Sequence, residues 1–272
     1  MESEWIQVSR SRVCPICGKP DWCLIARNGS AAICPRIEEK SVAYIEGSGW
    51  LHKFGGDDGP KPRLRAAPKP LPEHNSVLQD IFRKLRKQTT PEVLSYLSSD
   101  LGVSEKSLDL LSVGFSSTRD AFAFPMTRKG KRFLGIRYRH KNGSKFAAKG
   151  SKQGLFIPES FTRSRGVVVC EGPTDTAAML DLGVNAVGRP SCNAGNSLIS
   201  EMTKSLPVAI LSDSDGPGRS GAIQLQKTLK KGGAKSVFVI EPKAGKDARE
   251  WVANGATKND VMETIAEARR AE

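Results

Sequence analysis

The sequence lacks the features of a membrane or secreted protein. It has no apolar run of the 18 or more residues that a membrane-spanning helix needs. Its first ten residues, MESEWIQVSR, lack the apolar centre of a signal peptide. We therefore expect a cytoplasmic protein with no membrane partner. The sequence also has no G-x-x-x-x-G-K-S/T loop, which argues against an attached helicase motor of the Walker type.

Acidic residues are in short supply. The 29 Asp and Glu stand against 42 Lys and Arg, which gives a formal net charge of +13. The shortage is most marked in residues 121–158, which hold ten Lys or Arg and no Asp or Glu. Because Lys and Arg displace condensed counterions from nucleic acid, a basic chain of this kind favours a polyanionic partner. An evenly solvated basic surface would not explain such a single-signed stretch.

Cysteines are few but clustered, since four of the six lie between residues 14 and 34. In a cytosolic chain such clustering indicates a metal site rather than disulfides. Cys14 and Cys17 form a C-P-x-C-G turn, and Cys23 and Cys34 would complete a tetrahedral Zn²⁺ site. His52 is the alternative to Cys23 as a ligand. A unit of about fifty residues has too little core to fold without such a metal.

Aromatic residues make up only 6% of the chain, yet several lie in this cysteine-bearing unit. They are Trp5, Trp22, Tyr44 and Trp50. An aromatic ring in a nucleic-acid-binding unit either stacks on a base or packs in the core. The sequence leaves both roles open for each of these rings.

The segments differ in composition and periodicity. A Gly-, Pro- and Lys-rich stretch predicts a flexible linker. Helical periodicity follows it, with Val77, Ile81, Phe82 and Leu85 on one predicted face, and then strand-like alternation with a hairpin signal at Asn142-Gly143. We expect a zinc-binding unit at 1–54, the linker at 55–75, a basic helical-plus-strand subdomain at 76–164, a catalytic domain at 165–247 and a C-terminal helical segment at 248–272.

Acidic side chains follow two short apolar runs in the second half of the chain. Residues 167–170 lead into Glu171, and residues 208–211 lead into Asp213 and Asp215. Such runs suit buried parallel strands, whose carboxyl ends meet at one crevice. Carboxylates gathered there repel one another and favour a divalent cation. A Lys or Arg filling that crevice would argue against an ion, and an Asp that only caps a helix is the simpler alternative.

These acidic motifs resemble the TOPRIM domain that primases, topoisomerases and some nucleases share. Gly245-Lys246-Asp247, after the strand-like residues 237–240, is similar to the third acidic motif of that domain. The resemblance implies phosphoryl transfer that depends on Mg²⁺ or Mn²⁺. It also implies that Asp213, Asp215 and Asp247 hold the metal, while Glu171 holds metal or moves a proton.

The order of the segments resembles DnaG-type and phage primases, whose core motifs are similar to Phe124-Pro125-Met126 and Lys145-Phe146. The resemblance implies a mostly parallel α/β TOPRIM sheet, a basic α+β subdomain and an N-terminal zinc ribbon. It further implies a phage, plasmid or mobile-element DNA primase that makes short RNA primers from NTPs on single-stranded DNA, with a separate replicative helicase as a further partner. The candidate contacts to template or nucleotide phosphates are Arg137, Arg139, Lys145, Lys149, Lys152 and Arg219.

Three other functions compete with this one. A TOPRIM nuclease would use the same carboxylates, and a non-catalytic zinc and TOPRIM module would bind nucleic acid without reacting with it. A topoisomerase needs a nucleophilic tyrosine and a large strand-passage gate. The chain has only three Tyr among 272 residues, which argues against a topoisomerase.

Overall fold

The computed structural model describes residues 5–9, 11–54, 75–129 and 132–271. The chain divides into two compact units, Met1–Leu71 and Pro72–Glu272. The predicted linker at 55–75 lies outside the described residues except for its last position. Within the described ranges, no helix is long and apolar enough to cross a membrane.

The first unit is built on five short antiparallel strands. They are β1 Trp5–Gln7, β2 Leu24–Ala26, β3 Ala31–Cys34, β4 Ala43–Ile45 and β5 Gly49–Lys53. Their spatial order is β1-β2-β3-β5-β4, and β3 is buried along its whole length. The first unit has two small clusters of buried side chains, and these include three cysteines, Cys14, Cys23 and Cys34. A core this small gives little hydrophobic stabilisation, so the state of the cysteine sulfurs affects the stability of the first unit.

The second unit begins with helices that pack on an antiparallel sheet. Its first elements are α1 Ser76–Lys87, α2 Pro91–Leu101, α3 Glu105–Leu110, β6 Gly114–Ser116, β7 Ala121–Arg128, β8 Arg132–His140 and β9 Lys145–Ala147. The sheet order is β6-β7-β8-β9, with the predicted hairpin turn joining the last two strands. Thr90 caps α2 and Pro91 occupies its first turn, where a missing N–H leaves no hydrogen bond unmade.

The predicted apolar face of α1 is partly wrong. Phe82 and Leu85 are buried as expected, together with Leu78, but Val77 is 69% exposed and Ile81 is 42% exposed. A helix that carries apolar residues on two adjacent stripes buries whichever stripe its neighbours cover. Here the neighbours are the buried residues of β7 and β8, so the stripe that holds Leu78 faces inward.

A parallel sheet flanked by helices forms the rest of this unit. Its elements are β10 Val167–Cys170, α4 Pro173–Asp181, β11 Ala186–Gly188, α5 Asn196–Thr203, β12 Pro207–Leu211, α6 Gly216–Lys231, β13 Ser236–Ile240, α7 Ala248–Ala253 and α8 Lys258–Arg270. The order is β11-β10-β12-β13, and all three pairings are parallel. The central strands β10 and β12 are almost fully buried, as their short apolar sequences predict. Because Val169 pairs with Ile210, both strands end level with each other at the same edge.

Candidate active site

Carboxylates gather at the carboxyl edge of the parallel sheet. Glu171 directly follows β10, Asp213 and Asp215 follow β12, and Asp247 begins α7 after β13. A fifth carboxylate, Asp175, lies in the first turn of α4 and is only 7% exposed. The fold therefore delivers acidic groups from three separate strand-to-helix connections to one crevice, as expected for the switch point of an α/β sheet.

Asp213 lies at the centre of this acidic group. Burial raises the pKa of Asp213 from 3.8 to about 8, and the negative charges of Glu171, Asp175, Asp247 and Asp215 add to the rise. Within the part of the chain that the structure describes, its carboxylate has no hydrogen bond and no ion pair. Asp213 is thus half-buried, surrounded by like charge and without a cationic partner.

Asp215 and Asp247 each cap a helix, in addition to any binding of a metal. Asp215 accepts a hydrogen bond from the Gly218 N–H at 2.7 Å and caps α6, and Asp247 accepts from the Glu250 N–H at 2.8 Å and caps α7. The helix-cap interpretation therefore applies to both residues. Each cap uses one carboxylate oxygen; the second oxygen of Asp247 accepts from Arg249 Nη2 at 3.4 Å, while no described residue makes a hydrogen bond or ion pair with the second oxygen of Asp215.

Two arginines reach into the acidic group. Arg189 is fully buried, donates to the carbonyls of Cys192 and Gly221, and brings Nη2 to 3.4 Å from Glu171 Oε1. Arg249 lies between Asp175 and Asp247, with contacts of 3.8 and 3.4 Å. The crevice is therefore not free of arginine, which the sequence-based argument counted against an ion. Both guanidiniums make their contacts at other carboxylates, however, and Asp213 has no ion pair with either of them, although the charge of Arg189 acts on it.

The burial of these groups shifts their protonation. Burial raises the pKa of Glu171, which the nearby Arg189 opposes and the charges of Asp215 and Asp175 reinforce. Burial and the charge of Asp247 raise the pKa of Asp175 to about 6, against the influence of Arg249 and Lys145. Acids with raised pKa values beside one another are typical of sites that bind cations or transfer protons.

The donor set suits a hard divalent cation. Among the described residues, only four cysteines place three or more Cys, His, Asp or Glu ligand atoms within 4.8 Å of one another, so the carboxylates are spread more widely. Mg²⁺ needs only one or two carboxylates and keeps several of its waters, and paired ions about 4 Å apart span a wider set of ligands. Asp213, Asp215 and Asp247 offer the kind of oxygen ligand that such an ion takes, but their oxygens do not form a compact group of ligand atoms.

A basic pocket adjoins the acidic group. Glu171 and Gly172 line it together with Arg137, Arg139 and Lys145. Burial lowers the pKa of Arg137, and the guanidinium has no ion pair with any described residue. Lys145 is open to solvent at the rim, yet the dense protein around it lowers its pKa in spite of the nearby Asp175. Three cationic side chains thus line one small pocket together with the carboxylate of Glu171.

The other predicted phosphate contacts lie elsewhere or are already engaged. Arg139 is 3.7 Å from Asp100 Oδ2 and donates to the Gly143 carbonyl, so part of its charge is used within the fold. Arg219 makes a two-point contact with Glu241 at 2.8 and 2.9 Å. Lys149 and Lys152 are exposed and do not line the basic pocket. A phosphate at Arg219 would have to displace Glu241.

A larger cavity of about 300 Å³ lies at the opposite edge of the same sheet. It is lined by the amino ends of β10 and β12 and by α8, and its walls are mostly apolar. No acidic side chain lines it. The chemically equipped pocket is therefore the smaller one at the carboxyl edge.

The four clustered cysteines of the first unit form a second candidate metal centre. All six cysteines of the chain are free thiols, and the sulfurs of Cys14, Cys17, Cys23 and Cys34 lie within 4.8 Å of one another. A tetrahedral Zn²⁺ with sulfur ligands at about 2.3 Å holds neighbouring sulfurs about 3.8 Å apart, so the group fits that ion. His52 lies outside the group, with Nε2 2.9 Å from the Ile37 carbonyl oxygen.

The thiols of this group are electrostatically distinct. Partial burial alone would raise the pKa of Cys17, but hydrogen bonds from the Lys19 backbone, Cys23 and Arg36 lower it to about 7. Burial raises the pKa of Cys23 and of Cys34. Arg36 brings Nη1 to 3.6 Å from Cys17 Sγ and 3.5 Å from Cys23 Sγ. Its positive charge therefore lies beside the thiolates that a metal would require.

Comparison with known proteins was informative only at the level of structure. No protein-family model and no curated protein matches this sequence. The structure of a DnaG catalytic core is similar, with a TM-score of 0.57, 15% identity and coverage of 71% of this chain and 79% of that one. The primase fragment of the bacteriophage T7 primase-helicase protein gives a TM-score of 0.52 and 16% identity, and covers 96% of this chain and 99% of its own.

This chain has the fold of a primase core. The Aquifex aeolicus primase, solved as its zinc-binding and RNA polymerase domains, supports the same conclusion, with a TM-score of 0.55, 18% identity, and 70% of this chain and 60% of that one covered. Together with the parallel sheet and the cysteine group, these similarities confirm the predicted fold class. At such low identities they establish the primase fold and leave the chemistry to the residues.

Sequence reasoning missed three residues of the primase-fold site: Asp175, Arg189 and Arg249. Asp175 had a readable signal, because it lies four residues after Glu171 in the strand-to-helix turn. The arginines had none, since each is defined by carboxylates and carbonyls that lie far away in the sequence. Both of them change the charge balance of the crevice, and neither contacts Asp213.

Proposed function

We propose that this chain is a DNA primase, which synthesises short RNA primers from NTPs on a single-stranded DNA template with Mg²⁺ or Mn²⁺ as cofactor. The observation that carries the proposal is Asp213. It combines a pKa raised to about 8 with four neighbouring carboxylates and no cationic partner among the described residues. A folded protein gains little from such a group unless a cation binds there.

The roles of the side chains follow from their positions. A bound Mg²⁺ would supply charge neutralisation on the phosphates and on the attacking 3′-hydroxyl. Asp213, with Asp215 and Asp247, would hold that ion through ionised oxygens. Glu171, fixed in orientation by Arg189, would be a further ligand or would accept the proton of the hydroxyl. Asp175 would be held in place by Arg249 at the back of the site.

The charges of the basic pocket favour a nucleotide as the substrate. Arg137 and Lys145 face the same pocket as Glu171, and burial lowers the pKa of both. A triphosphate brought into this pocket would pair with two cations whose charged form the surrounding protein disfavours. In this proposal Arg137 and Lys145 bind the NTP phosphates, while the exposed Lys149 and Lys152 contact the template backbone.

Similar structures agree with these partners in what their descriptions state. A DnaG primase catalytic domain with a TM-score of 0.54 to this chain was solved bound to single-stranded DNA. Primase domains of bacteriophage T7, with a TM-score of 0.51, were solved with an RNA/DNA hybrid and a polymerase. For this chain we propose single-stranded DNA and NTPs as ligands, a template-reading role for the Zn²⁺-loaded first unit, and a separate replicative helicase as partner.

The decisive assay offers the protein single-stranded DNA, labelled NTPs and Mg²⁺ or Mn²⁺. We expect short labelled RNA from the wild-type chain and none from Asp213→Asn or Glu171→Gln, with DNA retention nearly intact in both variants. Asp80→Asn is the matched control, because Asp80 is exposed and only pairs with Arg83 on the same helix. It should synthesise RNA at the wild-type rate.

The other outcomes separate the competing functions. Degradation of the template would identify a nuclease that uses the same carboxylates. DNA retention with neither synthesis nor degradation would identify a binding module. RNA synthesis at wild-type rates by Asp213→Asn would remove Asp213 from the mechanism.

A further inference from the structure

Among the aromatic residues of the first unit, Trp22 differs in exposure. Trp50 packs edge-on against Tyr44 with ring centroids 4.7 Å apart, and Trp5 packs against a buried cluster. Trp22 is 69% exposed, and its indole has no hydrogen bond or ring contact within the described residues. Of the two roles that the sequence leaves open, core packing is thus excluded for Trp22.

The backbone at Trp22 has a strained conformation. Its φ is 64°, and the Cys23 N–H donates to the Asp21 carbonyl at 2.8 Å across a three-residue turn. Glycine adopts such a conformation without strain, whereas a bulky side chain does so rarely. Turns of this positive-φ kind are uncommon, and strain of this type persists at positions that bind ligands. Here the position carries the largest natural side chain instead of glycine.

Arg36 fastens this turn to the cysteine group. Its guanidinium donates to the Asp21 carbonyl at 3.0 Å, to Asp21 Oδ1 at 2.6 Å, and to the sulfurs of Cys17 and Cys23. The turn therefore ends on a metal-ligand candidate, Cys23, and is tied to it a second time through Arg36. The ion pair also compensates the charge of Asp21, the acid next to Trp22.

We propose that Trp22 stacks on an unpaired base of the single-stranded template, and that the metal-loaded cysteine group and Arg36 hold the strained turn that presents it. This inference rests on the proposed function, and it names the residue through which the first unit reads nucleic acid. A nucleobase is the partner that stacking favours, because an exposed indole face stacks on any base; residues 1–54 hold seven Lys or Arg and six Asp or Glu, so their net charge adds little. The contact is tolerant of base identity.

The test compares two oligonucleotides of equal length and charge, using the full chain loaded with Zn²⁺. One is a labelled single-stranded DNA, and the other carries abasic sites in place of its bases. Trp22→Gly should weaken binding to the first by about tenfold, since a base–aromatic stack is of that order, and should leave binding to the second unchanged. Trp22→Phe should retain most of the affinity for the base-bearing DNA.

Trp22→Gly is a suitable variant because glycine relieves the backbone strain. Its thermal midpoint and zinc content should equal or exceed those of the wild type. Val42→Ala is the matched control, since Val42 is an apolar residue of the same unit that is 58% exposed. It should bind both oligonucleotides as the wild type does.

Several results would overturn the inference. Undiminished binding of base-bearing DNA by Trp22→Gly would show that the indole does not stack on a base, and would favour a protein partner for it instead. An equal loss of affinity for both oligonucleotides, or loss of zinc, would make Trp22 a structural residue. These outcomes leave the proposed function intact, whereas a wild-type chain that binds neither oligonucleotide overturns both.

Arg36 provides an independent check on the clamp. Arg36→Met keeps the length of the side chain but removes its donors, so a colorimetric chelator should extract zinc several-fold faster from this variant. Zinc release at the wild-type rate would show that Arg36 does not hold the turn to the metal centre. The measurement involves no primer synthesis and so does not depend on catalytic competence.

Discussion

In the absence of Mg²⁺, replacement of Asp213 by Asn should stabilise the protein at alkaline pH. The same replacement should abolish the response of the protein to Mg²⁺. The carboxylate is half-buried among four others, and no described cation neutralises it. Asparagine has nearly the same shape, so the substitution removes the charge and leaves the packing. A variant that inactivates the proposed enzyme is therefore expected to be more stable than the wild type, which is the reverse of a common folding defect.

The sign and size follow from the raised pKa of Asp213. Burial first, and the four neighbouring charges second, raise the pKa of Asp213 from 3.8 to about 8, so the folded protein binds this proton more tightly than the unfolded chain does. The resulting stabilisation is complete below about pH 4 and is lost as the pH rises through about 8. Such a shift has a ceiling of about 6 kcal/mol. Because the group is partly open to solvent, we expect about 2 kcal/mol, or a rise in Tm of about 4–8 °C for Asp213→Asn at pH 9.

The assay is thermal unfolding of both proteins at pH 5 and pH 9, with and without Mg²⁺, in buffers without chelator so that the cysteine-bound metal is retained. At pH 5 the difference in Tm between the two proteins should be smaller than at pH 9. At pH 9 the variant should be the more stable in the absence of Mg²⁺, and Mg²⁺ should raise the Tm of the wild type only. A variant that is less stable at pH 9, or equal Mg²⁺ responses in both proteins, would refute the reasoning, and Asp80→Asn should behave as wild type throughout.

Two further predictions concern the zinc centre and the basic pocket. Cys17→Ser should lose zinc, measured by metal analysis, and lose template-dependent initiation while keeping some extension of a supplied primer; equal loss of both steps would make the zinc unit merely structural. Lys145→Gln should raise KM for NTPs more than it lowers kcat, because Lys145 faces the same pocket as Glu171 without contacting the attacking group. Steady-state kinetics with an unchanged KM would remove Lys145 from the nucleotide site.

The sheet and its acidic edge could be predicted from sequence because their signals are local. A run of four or five apolar residues that ends on Glu171 or leads into Asp213 is compatible with little else than a buried strand with a polar end. The parallel register then follows, since helices separate the strands. The cysteine group could be predicted equally well, because the Cys14–Cys17 spacing is typical of a metal-binding turn.

The remainder of the site depends on contacts between distant parts of the chain. Nothing near Arg189 in the sequence shows that its guanidinium is buried, because its partners are a glutamate 18 residues earlier and a carbonyl 32 residues later. The buried face of α1 was misassigned for the same reason, since Leu78 is inside only because β7 and β8 cover that stripe. The exposure of Trp22 likewise could not be predicted from the sequence, because four aromatic residues with similar surroundings in the sequence differ only in what packs on them.

The charge balance of the crevice is the property that distinguishes an enzyme from a binding module on this fold. Two arginines contact the acidic group directly among the described residues, and both are fixed on Glu171, Asp175 or Asp247. A module that only bound nucleic acid would be better served by Asn at position 213, because an uncompensated carboxylate repels phosphate and destabilises the fold. The same carboxylate becomes favourable once a divalent cation lies between it and a phosphate. The raised pKa of Asp213 is therefore the main physical support for our proposal that this crevice binds phosphates through metal ions.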